Sequence, residues 1–351
     1  MRAARYHGRQ DVRLEEVPEP VAGPGEVKLR VLYNGLCGSD VHEYFDGPIA
    51  SSTTPHPLTG CTLPCILGHE LSGEVVGLGP GVEDVAIGAT VAVEPIETCG
   101  VCPRCRSGSR HLCRLIAFHG YSRSGGGLSD YTVVRRDMVH VLPVGLSGRH
   151  GALVEPMAVS HRAVRRVGAL PGDLVAVHGA GPIGLGAVLA LRAAGLRSVV
   201  ADPSATRRAA ASLLQADHVL DPATDDVAAV VRDLTGGLGA AGAIDAAGAP
   251  AAVRAALRAT RPDGTVVLVG HHVEPIALRS GSLIFSEVRV TGSHIYDRSD
   301  IDAVIGAMVA GGYPLEDWTS IIDLPDVVGE GLVPLRDQGA NKVLVRLGAP
   351  P

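Results

Sequence analysis

Asp173-Leu-Val-Ala-Val-His178-Gly179-Ala-Gly181-Pro182-Ile183-Gly184 runs a short apolar segment directly into the pattern G-x-G-x-x-G. The segment predicts a buried strand and Leu185 to Ala194 predicts a helix, so the glycines fall at a strand-to-helix turn. Gly179 permits the tight turn, Gly181 lets a pyrophosphate approach the backbone, and Gly184 lets helix pack on sheet. The helix opened by Pro182 and Ile183 then turns its free N–H groups towards the phosphates. A second strand, Ser198 to Asp202, ends in a carboxylate 18 residues beyond Gly184. There Asp202 accepts hydrogen bonds from the adenosine ribose and repels a 2′-phosphate, which favours NAD over NADP. Arg207 is placed to contact ribose or phosphate, which weakens that preference.

Downstream the alternation continues. His218-Val-Leu220, a helix from Asp226 to Leu234, Ala243-Ile-Asp245, a helix from Ala251 to Thr260 and Thr265-Val-Val-Leu-Val269 follow in turn. Strands alternating with helices predict an α/β domain with a doubly wound parallel sheet, taken here as residues 156–297. His271 and His272 follow a strand at the sheet edge where ligands sit, which allows contact with the nicotinamide end; the plainer reading is two surface histidines. From about Arg298 the tail carries a helix, Ile301 to Val309, and a strand, Lys342 to Arg346. Residues 298–351 are assigned to the first domain.

Upstream, residues 1–155 read as short strands punctuated by Gly and Pro, which predicts a small β-barrel or sandwich. Val27 to Leu32 alternates, and Glu74 to Val76, Ala89 to Val93, Asp130 to Val134 and Met138 to Leu142 continue the series. This half carries Cys37, His69, Glu70 and Glu155. A thiol, an imidazole and two carboxylates form a donor set that zinc takes. Most of these donors stand thirty or more residues apart, so only a folded scaffold can gather them, as in catalytic sites. Singly, Cys37 is a buried small hydrophobe and His69-Glu70 a surface turn. Cys37 ends a strand, and Gly38 turns the chain so that Cys37, Ser39 and His42 face one cavity. Ser39 can pass a proton and His42 can deliver it to solvent; a turn serine and a surface histidine are the alternative.

Cys99, Cys102, Cys105 and Cys113 stand as C-x2-C-x2-C-x7-C in a lobe around residues 95–115. Four thiolates at this spacing wrap one tetrahedral zinc and leave no position for substrate, a structural role. An iron–sulfur cluster is the competing reading. Cys61 and Cys65 read as incidental thiols.

Composition excludes several classes. At 351 residues two domains are expected, and 46% hydrophobic with 19% charged residues is globular. A net charge of −6 without a basic cluster offers nothing to nucleic acid or a membrane surface. No segment approaches the ~18 apolar residues of a membrane span. The N-terminus lacks a signal-peptide core, so a cytoplasmic protein is expected, with its seven cysteines reduced. Lys28 and Lys342 are the two lysines; every other basic residue is arginine.

With both motifs placed, the chain resembles the zinc-dependent medium-chain alcohol dehydrogenase superfamily along nearly its whole length. It looks most like the (R,R)-2,3-butanediol dehydrogenase branch, itself close to sorbitol and threonine dehydrogenases. Cys37-Gly-Ser-Asp-Val-His-Glu-Tyr-Phe-Asp-Gly-Pro-Ile49, His56-Pro-Leu-Thr-Gly60, Gly68-His-Glu70 and Leu153-Val-Glu-Pro156 carry the likeness. The resemblance implies a GroES-like catalytic domain beside a Rossmann domain. It makes Cys37, His69 and Glu70 ligands of a catalytic zinc, with Glu155 a further ligand or the holder of a water there. Ser39 and His42 match the family's proton relay, and the cysteine quartet matches its structural zinc lobe. The implied reaction is reversible, NAD-linked oxidation of a secondary alcohol, such as a vicinal diol, to its ketone. The substrate is a small molecule and the chain a homo-oligomer, dimer or tetramer. A polyol, cyclitol or threonine-type dehydrogenase is the second reading, and a zinc- and NAD-binding protein without catalysis the third. His119, in Ala117-Phe-His-Gly120, and Val269-Gly-His-His272 depart from the branch pattern. If either borders the substrate pocket, a larger or more polar substrate follows.

Overall fold

A computed structural model of the chain describes residues 1–316, 318–337 and 340–348. The chain divides into two compact units, Met1–Glu155 with Trp318–Pro351, and Pro156–Asp317.

The first unit is built on the strand Glu26–Gly35, whose alternation turns Val27, Leu29 and Val31 inward with no exposure. It pairs antiparallel with Glu70–Leu78, Tyr131–Arg135 and Lys342–Arg346. The C-terminal strand thus lies in the sheet of the first unit, beside the chain's early strands. It also pairs in parallel with Thr319–Asp323, a strand not expected from the sequence because its residues are mostly exposed and lack alternation. A three-stranded sheet of Asp11–Glu16, Arg2–Gly8 and Cys65–Ile66 accompanies it. Tyr6, Leu67, Leu71, Val343 and Val345 belong to one core. Cys65 is part of that core, with Ser51 Oγ 3.5 Å from its sulfur.

Cys37 does not end a strand. The strand stops at Gly35, and Cys37 is the N-cap of the helix Gly38–Asp46. Asp40 explains why: its carboxylate accepts the Cys37 backbone N–H at 2.9 Å, closing a capping box. Gly38 therefore begins a helix rather than turning the chain.

The second unit holds a six-stranded parallel sheet in the order His218–Leu220, Arg197–Ala201, Leu174–His178, Ala240–Asp245, Thr260–Leu268, Arg289–Gly292. Strand order reverses between Leu174–His178 and Ala240–Asp245, and ligands of such sheets bind beyond the strand ends at that reversal. Two boundaries differ from expectation. A helix that starts at Gly148, ahead of the domain boundary set at residue 156, runs to Val167 with Pro156 inside it. The missing N–H costs about 3 kcal/mol, offset by full burial of Leu153, Met157 and Ala158 beside it. The helix Arg298–Val309 belongs to the second unit, together with residues up to 317, and not to the first. Charge pairing holds it there. Buried Asp300 accepts from His161 at 2.9 Å and Arg165 at 3.1 Å, and Asp297 accepts from Arg162 at 2.7 Å.

His119 is a core residue. It is fully buried in the first unit, with Nε2 2.8 Å from Thr132 Oγ1 and no partner for Nδ1. Burial, with Arg123 nearby, pulls its pKa down to about 3. Unfolded chains take up this proton below about pH 6.5, the folded chain only near 3, so the folded state is favoured above 6.5 and loses ground as pH falls. His119→Asn should therefore remove roughly 2 kcal/mol of the stability difference between pH 7 and pH 5. Denaturant midpoints at the two pH values measure it, and an unchanged difference refutes the assignment.

Candidate active site and metal centres

Three of the four expected catalytic donors converge. Cys37 caps its helix, and His69 and Glu70 lie where the strand Glu70–Leu78 begins. One donor atom from each lies within 4.8 Å of the other two. Glu155 is buried on the helix Gly148–Val167 and is not part of this triplet. The triplet fits a divalent metal such as zinc, because it offers a thiolate, an imidazole and a carboxylate, and Glu70 Oε1 is buried without a hydrogen-bond partner.

The second oxygen of Glu70 is taken by a residue the sequence reading passed over. Lys342 Nζ donates to Glu70 Oε2 and, at 3.0 Å, to the Leu36 carbonyl, with lysine and glutamate both at most 1% exposed. Three neighbouring strands set this up: the strand of Lys342 pairs with the strand of Gly35, and Gly35 stands opposite Glu70. A Cβ on Gly35 would run into Glu70 Oε2 and sit 3.1 Å from Lys342 Cε, so glycine leaves room for the pair. Lys342 thus joins the backbone just before Cys37 to the carboxylate beside His69. Its rarity was the available signal, one lysine of two in an arginine-rich chain.

A second network supports His69. Asp40 is fully buried; its Oδ1 accepts the Tyr121 hydroxyl at 2.6 Å and lies 3.6 Å from His69 Nδ1. Burial opposes both charges, yet they shift in the paired direction: Asp40 is lowered by His69, Tyr121 and the Cys37 N–H, and His69 is raised by Asp40. Tyr121 packs against His69 with ring centroids 5.0 Å apart and planes tilted by 40°, and its hydroxyl lies 3.0 Å from Ser39 Oγ. Tyr121 had no signal in the sequence. Asp40 had a weak one, standing three residues after Cys37 where a capping box needs it. Ser39 and His42 both lie on the helix Gly38–Asp46, and His42 is 54% exposed with Nδ1 3.1 Å from Asp46.

In the cysteine lobe, sulfur separations of 3.9 Å (Cys99–Cys105), 3.6 Å (Cys102–Cys105), 4.0 Å (Cys102–Cys113) and 3.5 Å (Cys99–Cys113) are recorded. Zinc–sulfur bonds of about 2.3 Å place tetrahedral sulfurs roughly 3.8 Å apart, so the lobe fits zinc. None is in a disulfide. The Cys105 N–H, chief among several donors, brings the Cys102 thiol down to about 6, towards the thiolate that metal requires.

The dinucleotide turn behaves as its glycines predict. Gly179 has φ +97°, and a Cβ on Gly184 would fall 1.8 Å from the Gly179 carbonyl oxygen. At Gly181 the nearest atom to an added Cβ is Arg207 Cζ at 4.0 Å, so that face is open to a phosphate. Pro182 and Ile183 open the helix Pro182–Ala193. Asp202 follows its strand and already accepts from the Ala180 N–H (2.7 Å) and the Ser204 N–H (2.8 Å), with Arg207 4.0 Å away. Its carboxylate has lone pairs left for ribose hydroxyls. His272 corrects the surface reading. Its Nε2 is 2.7 Å from Oδ2 of fully buried Asp245, at the end of the strand next to the reversal.

A GroES-like unit with a gathered Cys–His–Glu triplet, a four-cysteine lobe and a dinucleotide turn defines the class of zinc-binding dehydrogenases. Residues 23–144 match the "Alcohol dehydrogenase GroES-like domain" and residues 182–310 the "Zinc-binding dehydrogenase" family. The chain is 40% identical over 352 residues to (R,R)-butanediol dehydrogenase of Bacillus subtilis (strain 168), covering 99% of each. The crystal structure of 2R,3R-butanediol dehydrogenase from Bacillus subtilis superposes with a TM-score of 0.92 at 38% identity, covering 98% of this chain and 99% of that one. A zinc-binding dehydrogenase of Sinorhizobium meliloti 1021, solved bound to NADP, has a TM-score of 0.88 at 31% identity over 98% of both chains. The protein belongs to the zinc-dependent medium-chain alcohol dehydrogenase superfamily. It is a zinc-dependent alcohol dehydrogenase that uses a nicotinamide dinucleotide and acts on small molecules. Among the described residues no helix is long and apolar enough to cross a membrane.

Proposed function

We propose that this dehydrogenase interconverts a vicinal secondary diol and its ketol, of the 2,3-butanediol/acetoin type, with NAD. The observation that carries the reading is the Cys37–His69–Glu70 triplet, with Ser39 two residues from Cys37. When bound, zinc supplies Lewis acidity towards the carbinol oxygen and the dinucleotide supplies the hydride acceptor. Cys37, His69 and Glu70 hold the ion, and Glu155 holds a water beside it or completes the shell. Asp40 orients the His69 ring. Ser39 would take the proton of the alcohol, and His42, exposed on the same helix, would return a proton to solvent. Gly179 to Gly184 position the dinucleotide, and Cys99, Cys102, Cys105 and Cys113 hold a structural zinc. With one thiolate among these donors, an ion held by them would supply Lewis acidity suited to a substrate with two neighbouring oxygens, a diol or ketol. Reduced thiols at the lobe suit a cytoplasmic setting. Light scattering, with a dimer or tetramer expected, tests the homo-oligomer.

The substrate reading is tested by comparing acetoin with 2-butanone, alongside sorbitol, threonine and cyclitols, by NADH absorbance. Acetoin should exceed 2-butanone by at least about tenfold in kcat/KM, equivalent to ~1.4 kcal/mol. Equal efficiency refutes it, and faster turnover of a polyol transfers the assignment to the polyol class. Asp202 carries the NAD preference, so Asp202→Gly should narrow the NAD-to-NADP ratio of kcat/KM by roughly tenfold or more. An unchanged ratio removes Asp202 from cofactor choice.

A further inference from the structure

The strand Ala240–Asp245 ends beside the reversal of strand order, between the ends of Leu174–His178 and Thr260–Leu268. Two short segments leave these strands: residues 246–249 after Asp245, and residues 269–272 after Leu268. They meet backbone to backbone. A Cβ on Gly270 would run into the Gly248 nitrogen, and one on Gly248 into the His271 carbonyl oxygen.

Asp245 ties the two segments together. Its backbone carbonyl accepts the Val269 and Gly270 N–H groups, each at 2.9 Å, and its Oδ1 accepts the Ala247 N–H at 3.2 Å. His272 Nε2 lies 2.7 Å from Oδ2. A carboxylate only accepts, so Nε2 carries the ring proton.

Stability alone does not account for this pair. Asp245 has no exposure, and burial pushes its carboxyl up against the pull of His272. His272 Nδ1 is buried without a hydrogen-bond partner. Apolar residues of similar size would avoid both costs, and replacing buried ion pairs in that way is often neutral or stabilising.

Location supplies a reason. The two halves of a dinucleotide lie on either side of the reversal, beyond the carboxyl ends of the strands. Asp202 follows the strand Arg197–Ala201 on one side and is placed for the adenosine. The nicotinamide half then falls on the other side, over the segments that follow Asp245 and Leu268.

We infer that the His272–Asp245 hydrogen bond fixes residues 269–272 for the nicotinamide half of the dinucleotide, which makes His272 a positioning residue for that half alone. His272 acts through the segment it tethers. The role rests on adenosine lying at Asp202, and it holds whichever alcohol is oxidised.

Titration of the zinc-loaded protein with NADH, ADP-ribose and ADP separates the halves. ADP lacks the nicotinamide ribose and base, and ADP-ribose lacks the base alone. His272→Phe keeps a ring and removes the N–H. Its Kd for NADH should rise roughly three- to tenfold, the scale of one lost hydrogen bond, with the Kd for ADP within about twofold of wild type. A loss shared by ADP-ribose puts the effect at the ribose, and a loss confined to NADH puts it at the base. His272→Gln, whose amide can donate to the same carboxylate, should recover part of the affinity; no recovery would assign the effect to ring packing, against the inference. An equal loss for ADP also overturns it, making His272 a support for the whole sheet edge, and so does unchanged affinity for all three ligands. If circular dichroism shows His272→Phe misfolded, His272→Ala is read with the same ligands.

Discussion

Lys342→Ala should lower the stability of the metal-free protein by about 3–5 kcal/mol, the cost of leaving a buried charge without its partner. Glu70 is 1% exposed and Lys342 not exposed at all, so the carboxylate loses its ammonium partner away from bulk solvent. The same substitution also strips the Leu36 carbonyl of its donor. Zinc should return part of the loss, because a cation at the Cys37–His69–Glu70 triplet replaces the missing positive charge. The expected result is a fall in denaturant midpoint that is larger without zinc than with it. Lys342→Met tests the same point with the stem of the side chain retained. Equal losses with and without metal would show that Glu70 does not face the ion. No loss in either state would show that the pair does not hold the sheet.

Cys37→Ser should reduce kcat/KM by roughly a thousandfold or more, about 4 kcal/mol of transition-state stabilisation, while the protein stays folded. Cys37 is one donor of three on a helix cap whose backbone bonds to Asp40 do not depend on its sulfur. Cys102→Ser should act in the opposite order, lowering the melting temperature or solubility first. The lobe of residues 99–113 contains only short helices of three and four residues, so bound metal holds it together. Metal analysis should find two zinc ions per wild-type chain and one in each variant. If both substitutions unfold the protein alike, the division into a catalytic and a structural centre is wrong.

Much of this was legible before any coordinates. The cysteine quartet declares itself because four ligands within fifteen residues need no distant partner to make sense. The dinucleotide turn does so because each glycine answers a local steric demand, as φ at Gly179 and the crowding at Gly184 bear out. The helix Arg298–Val309 was legible as a helix but not as a member of the second unit. Its place depends on Asp297 and Asp300 meeting Arg162, Arg165 and His161, more than 130 residues away. His119 and His272 misled for a related reason. A histidine is equally at home in a core or at a surface, and only its neighbours decide.

What the sequence determined by itself was therefore the class of chemistry: donors of the right kind for zinc, a phosphate-binding turn and the periodicities of strand and helix. These are short-range properties, written in residue type and spacing. Tertiary structure alone decided how the donors are held. The pairing of the strands bearing Lys342, Gly35 and Glu70 brings an ammonium from near the C-terminus onto a carboxylate from the first hundred residues. The contact of Tyr121 with Asp40 and Ser39 also joins segments some eighty residues apart, a turn and a helix. The Lys342–Glu70 contact depends on which strands pair and in what register, and a single residue of slip would turn those side chains to the other face.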